Sequence, residues 1–286
     1  MVRRKILVTG GAGFVGSNLV SELILLGHYV VCVDNLTYGY NSMISQWANY
    51  LNFQIETSNL CDNFNSQGWK RIEEHIANAS HVVHLASLVG YPACEREKDY
   101  ATRLNYEVSI NLADLCKKHN TKMLYASTGS VYGKIDGICN EESTVNPISH
   151  YAITKLNAEK YMLEHCDALC FRFATAFGLS PRMRFDLTVS EFTLNLGMGK
   201  ELLVYDAHTW RPYCHLQDFA RLIQMVIEAP AEKVSFEVFN AGGDINNATK
   251  QMIVDAIFEK IPDGKVQYQD HGSDPRNYRV SFEKVK

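Results

Sequence analysis

Apolar runs at residues 5–9, 29–34, 53–57, 81–86, 122–127 and 168–173 punctuate the first part of the chain. Each is close to continuously apolar rather than alternating, the pattern of a strand buried on both faces. Between them lie helical patterns at 15–26, 69–78, 100–119 and 151–165. Strands alternating with helices predict a parallel sheet covered on both sides. Right-handed crossovers then give an α/β doubly wound, Rossmann-like sheet.

After Gly178 the rhythm turns irregular. Residues 191–197, 217–228 and 250–260 read as helices, with Asn247 or Thr249 as a cap for the last, and 237–241 reads as a late strand. The expected organisation is a nucleotide-binding domain over 1–175 and a smaller C-terminal substrate lobe over 176–286, whose late strand returns to the main sheet. The N-terminus is basic and then apolar, but glycines follow its short apolar run at once, so it reads as a first strand rather than a leader.

Composition narrows the function classes. Hydrophobic residues make up 46% of the chain and charged residues 21%, as in globular proteins. A net charge of −4 gives no global field toward nucleic acid or anionic membrane, so an anionic ligand must be held by local groups. No stretch approaches the ~20 apolar residues needed to span a bilayer. Eight cysteines are scattered, and Cys166 and Cys170 are the only close pair. With no second pair to complete a zinc site, they read as reduced thiols of a cytoplasmic protein, and no metal is expected.

The densest local signal is Gly10-x-x-Gly13-x-x-Gly16, directly after one strand and opening a helix. Gly10 allows a tight turn, Gly13 lets the backbone approach a pyrophosphate, and Gly16 lets helix and strand pack. The helix start, at Phe14 and Val15, adds unpaired amides and a favourable dipole. The second strand ends in Asp34, about 20 residues beyond Gly13, where an acid accepts from the adenosine ribose hydroxyls. A carboxylate there repels a 2′-phosphate, which predicts NAD over NADP.

Tyr151 and Lys155 stand at i and i+4 near the start of a helix, a spacing that puts their Cβ atoms ~6 Å apart on one face. A phenol with a pKa of ~10 is a poor base at neutral pH. A nearby ammonium is expected to favour the phenolate, so that Tyr151 takes a hydroxyl proton as hydride departs. Thr128, at the end of the preceding strand, is expected to present its hydroxyl at the carboxyl edge of the sheet.

With these motifs in order, the chain resembles the extended short-chain dehydrogenase/reductase family, in its NAD-dependent nucleotide-sugar epimerase/dehydratase group. The resemblance also rests on Val33-Asp34-Asn35-Leu36, Val82-Val83-His84-Leu85-Ala86-Ser87 and Asn105. It continues through Ser127-Thr128-Gly129-Ser130-Val131-Tyr132-Gly133, Arg172-Phe173-Ala174-Thr175, and Arg211-Pro212-Tyr213-Cys214-His215 leading to Asp218. It implies that Asn35 joins Asp34 in holding the cofactor, that Asn59 and Leu60 flank the adenine, and that Leu85, Ala86 and Ser87 line the nicotinamide side. Asn105 would support that site and Lys155 would bond the nicotinamide ribose. Thr128 would bond the sugar hydroxyl being oxidised, Arg211 the substrate diphosphate, and Val204 and Tyr205 would lie beside the nucleotide base. His215 reads as a structural hydrogen-bonder. A homodimer through the helices at 100–119 and 151–165 is implied by the resemblance alone.

Four departures refine the expectation. Gly129-Ser130 replaces the Asp-Glu pair that 4,6-dehydratases carry, which disfavours dehydration. Thr175 replaces a substrate-binding asparagine. The terminal Arg-x-Gly-Asp type motif becomes His271-Gly272-Ser273-Asp274-Pro275-Arg276, with Arg276 expected to take over phosphate binding. The chain stops at Lys286, where relatives continue for another helix. These readings predict a nucleotide-sugar epimerase, most simply at C4 through a transient keto-sugar. The alternative is a reductase or dehydrogenase of a 4-keto nucleotide sugar; a non-catalytic relative would be expected to lose Tyr151 or Lys155.

Overall fold

The computed structural model describes residues 2–39, 42–270 and 276–286. Its centre is a seven-stranded, all-parallel sheet. We number its strands β1 (Lys5–Thr9), β2 (Tyr29–Asp34), β3 (Phe53–Thr57), β4 (His81–His84), β5 (Lys122–Thr128), β6 (Ala168–Phe173) and β7 (Glu237–Ala241). The spatial order is β3-β2-β1-β4-β5-β6-β7. The chain winds outward from β1 to β3, then crosses back to lay β4 on the other side of β1. That reversal opens a crevice at the carboxyl ends of β1 and β4, where ligands bind in sheets of this kind.

The apolar runs bury both faces of the sheet. Ile6, Leu7 and Val8 of β1 and Val30, Val31 and Val33 of β2 have no exposed surface. On one face the helix Phe14–Leu25 packs against the helix Leu216–Glu228, through Leu19 and Leu23 with Phe219, Ile223 and Ile227. On the other, the helices Gln67–Ala77, Val108–His119 and His150–His165 contribute Trp69, Ile72, Leu112, Cys116, Ala158 and Met162 to a second cluster.

The segment after Gly178 supplies β7 to the edge of the main sheet, beside β6. Short strands form three smaller sheets. Thr175–Phe177, Trp210–His215 and Asn247–Thr249 form one sheet, Leu202–Tyr205 pairs with Val266–Gln269, and Lys134–Cys139 pairs with Asn277–Val280. Phe192, Leu202, Val204, Tyr213 and Val254 form a third cluster. Thr249 caps the helix Lys250–Phe258 through the Met252 amide, at 3.2 Å.

One expected helix differs. Residues 100–119 are not continuous: Lys98–Thr102 leads into a π-helical turn, Arg103–Glu107, and then the helix Val108–His119. Such single-turn insertions gather at functional sites, and this one carries Asn105 into the interior. Among the described residues, no helix is long and apolar enough to cross a membrane.

Candidate active site

The glycine motif forms the loop from β1 to the first helix. Gly10 sits at φ +67°, and a Cβ there would lie 2.7 Å from the Ala86 amide nitrogen. Gly16 is equally constrained, since its Cβ would meet the Gly10 carbonyl oxygen. Gly13 differs: a Cβ there would meet only the Gly10 oxygen, at 3.1 Å. The space over Gly13 is therefore open on its outer side, and a side chain would fill a cradle beside the helix start. With the first-turn amides of Phe14 and Val15 beside it, this cradle fits a pyrophosphate.

Asp34 ends β2 facing the same loop. Its Oδ2 accepts from the Ala12 amide at 3.0 Å and its Oδ1 from the Leu36 amide at 2.9 Å. Each carboxylate oxygen has two acceptor positions, so the residue fastens the glycine loop and retains capacity for ribose hydroxyls. Asn35 turns its side-chain oxygen to Thr37. Across the crevice, Thr9 accepts from the Ala86 amide at 3.3 Å and shares a 2.6 Å hydrogen bond with His84. Asn105, wholly buried, accepts from the Leu88 amide and the Ser87 hydroxyl, both at 2.8 Å, and donates to the Leu88 carbonyl. The π-helical turn thus clamps Ser87 and Leu88, just past β4.

The two residues expected to flank the adenine differ in exposure. Leu60 is 5% exposed within the second core cluster, so its side chain has almost no surface to offer an adenine. Its neighbour Asn59 is exposed, with its side-chain oxygen accepting from the Cys61 amide.

Tyr151, Lys155 and Thr128 come together at the carboxyl end of β5. Ser149 caps the helix that carries Tyr151 and Lys155, accepting from the Ala152 amide at 3.2 Å. Thr128 is close enough to the Tyr151 hydroxyl to favour its ionised form, and the Lys155 ammonium lies 4.1 Å from the Tyr125 ring centroid. Burial pushes the Tyr151 hydroxyl up to about 12 and Lys155 down to about 7. Among the protein's own groups, burial is the largest influence on the Tyr151 hydroxyl. What lowers Tyr151 is the nearby Thr128 and the charges of Arg184 and Arg276.

Behind this cluster runs a buried network. Glu159, one further turn along the Tyr151–Lys155 face, accepts from the Ser127 hydroxyl and from Arg172, whose Nη2 is 2.7 Å away. Arg172 also donates to the Tyr132 hydroxyl at 3.1 Å, and Tyr132 donates to Asn240 of β7 at 2.7 Å. The helix His150–His165, β5, β6 and β7 are joined by one chain of polar groups.

Of the substrate residues, Thr175 starts a short strand beside Tyr213. Arg211 is 7% exposed, bonds the Trp210 carbonyl at 2.7 Å and lies over the Tyr278 ring. Arg276 donates Nη1 to the Ser130 hydroxyl at 3.0 Å, which puts it at the Thr128 end of the cleft; the altered motif at 271–275 lies outside the described residues. Val204 is 1% exposed in the core of the smaller lobe, so its side chain has no surface to set against a base, while Tyr205 is exposed. His215 caps the helix Leu216–Glu228 through the Gln217 amide.

Arg184 was not singled out by the sequence reading. Its segment is fastened to the dinucleotide helix: Ser180 donates to the Phe14 carbonyl at 2.9 Å and Asn18 to the Leu179 carbonyl at 3.4 Å. The available signal was Arg182-x-Arg184-x-Asp186, a cationic cluster just past a strand end.

Known proteins place this arrangement. The sequence model described as the NAD dependent epimerase/dehydratase family matches residues 6–242. A putative UDP-glucose 4-epimerase of Methanocaldococcus jannaschii is 32% identical over 240 residues, covering 80% of this chain and 75% of that protein. UDP-glucuronic acid decarboxylase 1 of Xenopus tropicalis is 29% identical over 214 residues, 71% of this chain, and the chain spans about half (48%) of that relative's length. Among solved structures, MoeE5 in complex with UDP-glucuronic acid and NAD superposes with a TM-score of 0.82 at 25% identity, covering 98% of this chain and 91% of that one. The glycine cradle, the acid that ends β2, the tyrosine–lysine helix and the match over residues 6–242 agree: this chain belongs to the NAD-dependent epimerase/dehydratase family.

Proposed function

We propose that the chain is a nucleotide-sugar epimerase acting at C4 through a transient 4-keto sugar. The observation that carries this reading is the Tyr151 hydroxyl set close to Thr128 at the carboxyl end of β5, with Lys155 one turn on in the same helix. Two hydroxyls so placed can grip one sugar hydroxyl, Thr128 orienting it and Tyr151 exchanging its proton. NAD bound in the cradle supplies the hydride acceptor and donor for the carbon bearing that hydroxyl. At about 12 the phenol is protonated at neutral pH, ready to return a proton to the keto oxygen. Taking one needs positive potential, which Arg184 and Arg276 provide in a buried setting.

Dehydration lacks its acid pair, since Gly129 and Ser130 occupy the turn after Thr128. The relatives named above act on or bind UDP-glucose and UDP-glucuronic acid, which supports a nucleotide diphosphate sugar as the substrate class. Self-association through the helices Val108–His119 and His150–His165 belongs to the same reading.

The test is turnover with bound NAD and no added cofactor. The two C4 epimers equilibrate while the nicotinamide absorbance stays unchanged in steady state. Stoichiometric consumption of reduced cofactor would instead assign a 4-keto nucleotide-sugar reductase.

A further inference from the structure

The Lys155 ammonium rests on an aromatic ring. Its Nζ lies 4.1 Å from the centroid of Tyr125, well within the ~6 Å at which a ring face attracts a cation. Both side chains are buried, and an ammonium taken out of water needs a group that replaces its hydration. Tyr125 is itself held fast. It stands in register with His84 on the neighbouring strand β4, and the two rings stack at 5.7 Å with 28° between their planes. The Tyr125 hydroxyl donates to the Asn105 carbonyl at 3.5 Å. His84 is fixed in turn, with Nδ1 bonded to Thr9 Oγ1 at 2.6 Å and Nε2 to Ser109 Oγ at 2.9 Å. Ser109 gives its own proton to the Asn105 carbonyl, so it accepts from His84 Nε2, and the Thr9 hydroxyl donates to Nδ1. Burial, and then the charge of Lys155, hold this imidazole down at about 3. It is therefore neutral, and no second cation competes for the ring.

We propose that Tyr125 is a positioning residue of the reaction: its ring face holds the Lys155 ammonium in place and charged, one helical turn from the Tyr151 that exchanges the proton. The inference rests on the part that Lys155 plays in the C4 reading above. A lysine side chain has four torsions, and ordering it costs entropy that a fixed contact offsets. The other groups acting on the ammonium are Cys170 of β6, Glu159 of its own helix and Cys94 of the helix Tyr91–Arg96. Burial outweighs them and brings Lys155 down to about 7. At that value about half of the lysine is neutral near pH 7. A ring face attracts the cation and not the neutral amine, so the Tyr125 contact bears directly on the charged fraction.

The experiment compares side chains at position 125 in NAD-loaded protein. Tyr125→Leu removes the ring face and Tyr125→Phe keeps it. Phenylalanines carrying one, two or three ring fluorines weaken the negative potential of the face with little change of shape. The readouts are kcat and KM for C4 epimerisation across pH, and the titration of Lys155 itself. The titration is followed by carbon-13 NMR of protein labelled at lysine Cε, assigned with Lys155→Met. In Tyr125→Leu kcat is expected to fall about tenfold with the sugar KM within about twofold. Losing a group that favours the cation lowers the Lys155 midpoint by about one pH unit. The pH at which activity is lost on going alkaline moves down with it. Tyr125→Phe is expected to restore most of the rate, and each added fluorine to lower rate and midpoint together. An unchanged rate and midpoint in Tyr125→Leu overturns the proposal. So does an equal loss in the leucine and phenylalanine variants with the midpoint unmoved, which marks a packing role. If the leucine variant does not fold, the fluorinated series decides, and a flat series overturns the proposal. The two readings fail separately. A midpoint that follows the ring in protein that does not epimerise removes only the C4 reading, and epimerisation indifferent to the ring removes only this inference.

Discussion

Tyr151→Phe is expected to lower kcat by about a thousandfold while NAD affinity stays within a few-fold of the unmodified protein. The substitution removes one oxygen and little else. The ring keeps its packing against Leu88, Cys94 and Ala101, and Thr128 keeps the bond to the Ser130 amide. The variant therefore has the fold, the cradle and the sugar contacts but no group to move the proton. Lys155→Met is expected to lose both rate and cofactor affinity, since it removes the charge and the proposed ribose contact together. The comparison is made on purified protein by chromatographic product analysis and NAD titration. Full turnover in the phenylalanine variant would remove Tyr151 from the mechanism.

The largest effect on stability is expected at Glu159. In Glu159→Ala the Arg172 guanidinium, 7% exposed, keeps its charge and loses its carboxylate, and the Ser127 hydroxyl loses its acceptor. Breaking a buried pair from one side costs about 3–5 kcal/mol, because an uncompensated charge stays in the interior. The double variant Glu159→Leu/Arg172→Met is expected to recover part of that loss, since no buried charge remains. Denaturant midpoints of the two variants measure this directly. A single variant within about 0.5 kcal/mol of the unmodified protein would mean the network is solvated and does not bind helix and sheet together. Glu159 also helps hold Lys155 charged against burial, so the pair links the stability of β5 to the chemistry at its end.

The sequence pattern is legible where burial decides it. β1 and β2 begin and end where their apolar runs do, because strands covered on both faces require unbroken apolar side chains. The dinucleotide cradle is readable for a related reason: Gly10 and Gly16 are fixed by backbone atoms less than 3 Å from where a Cβ would stand. Sequence spacing places Tyr151 and Lys155 on one face, but it is silent on burial, and burial sets the charge state of both. The break at Arg103–Glu107 is hidden because a π-helical turn leaves the apolar pattern nearly intact, and it carries Asn105 to its bond with Leu88. Leu60 and Val204 show that adjacency along the chain does not give the direction of a side chain. The strands Lys134–Cys139 and Asn277–Val280 pair with each other across a long stretch of chain, so neither carries a pattern of its own. Arg184 and Arg276 converge on Tyr151 from separate segments, and only the folded chain brings them there.

The account is tested most directly by a nucleotide sugar carrying deuterium at C4. If the carbon loses and regains hydride inside one closed cleft, the C4 epimer forms with its deuterium retained, and solvent hydrogen does not enter C4. Deuterium washed out to water during epimerisation would contradict that route.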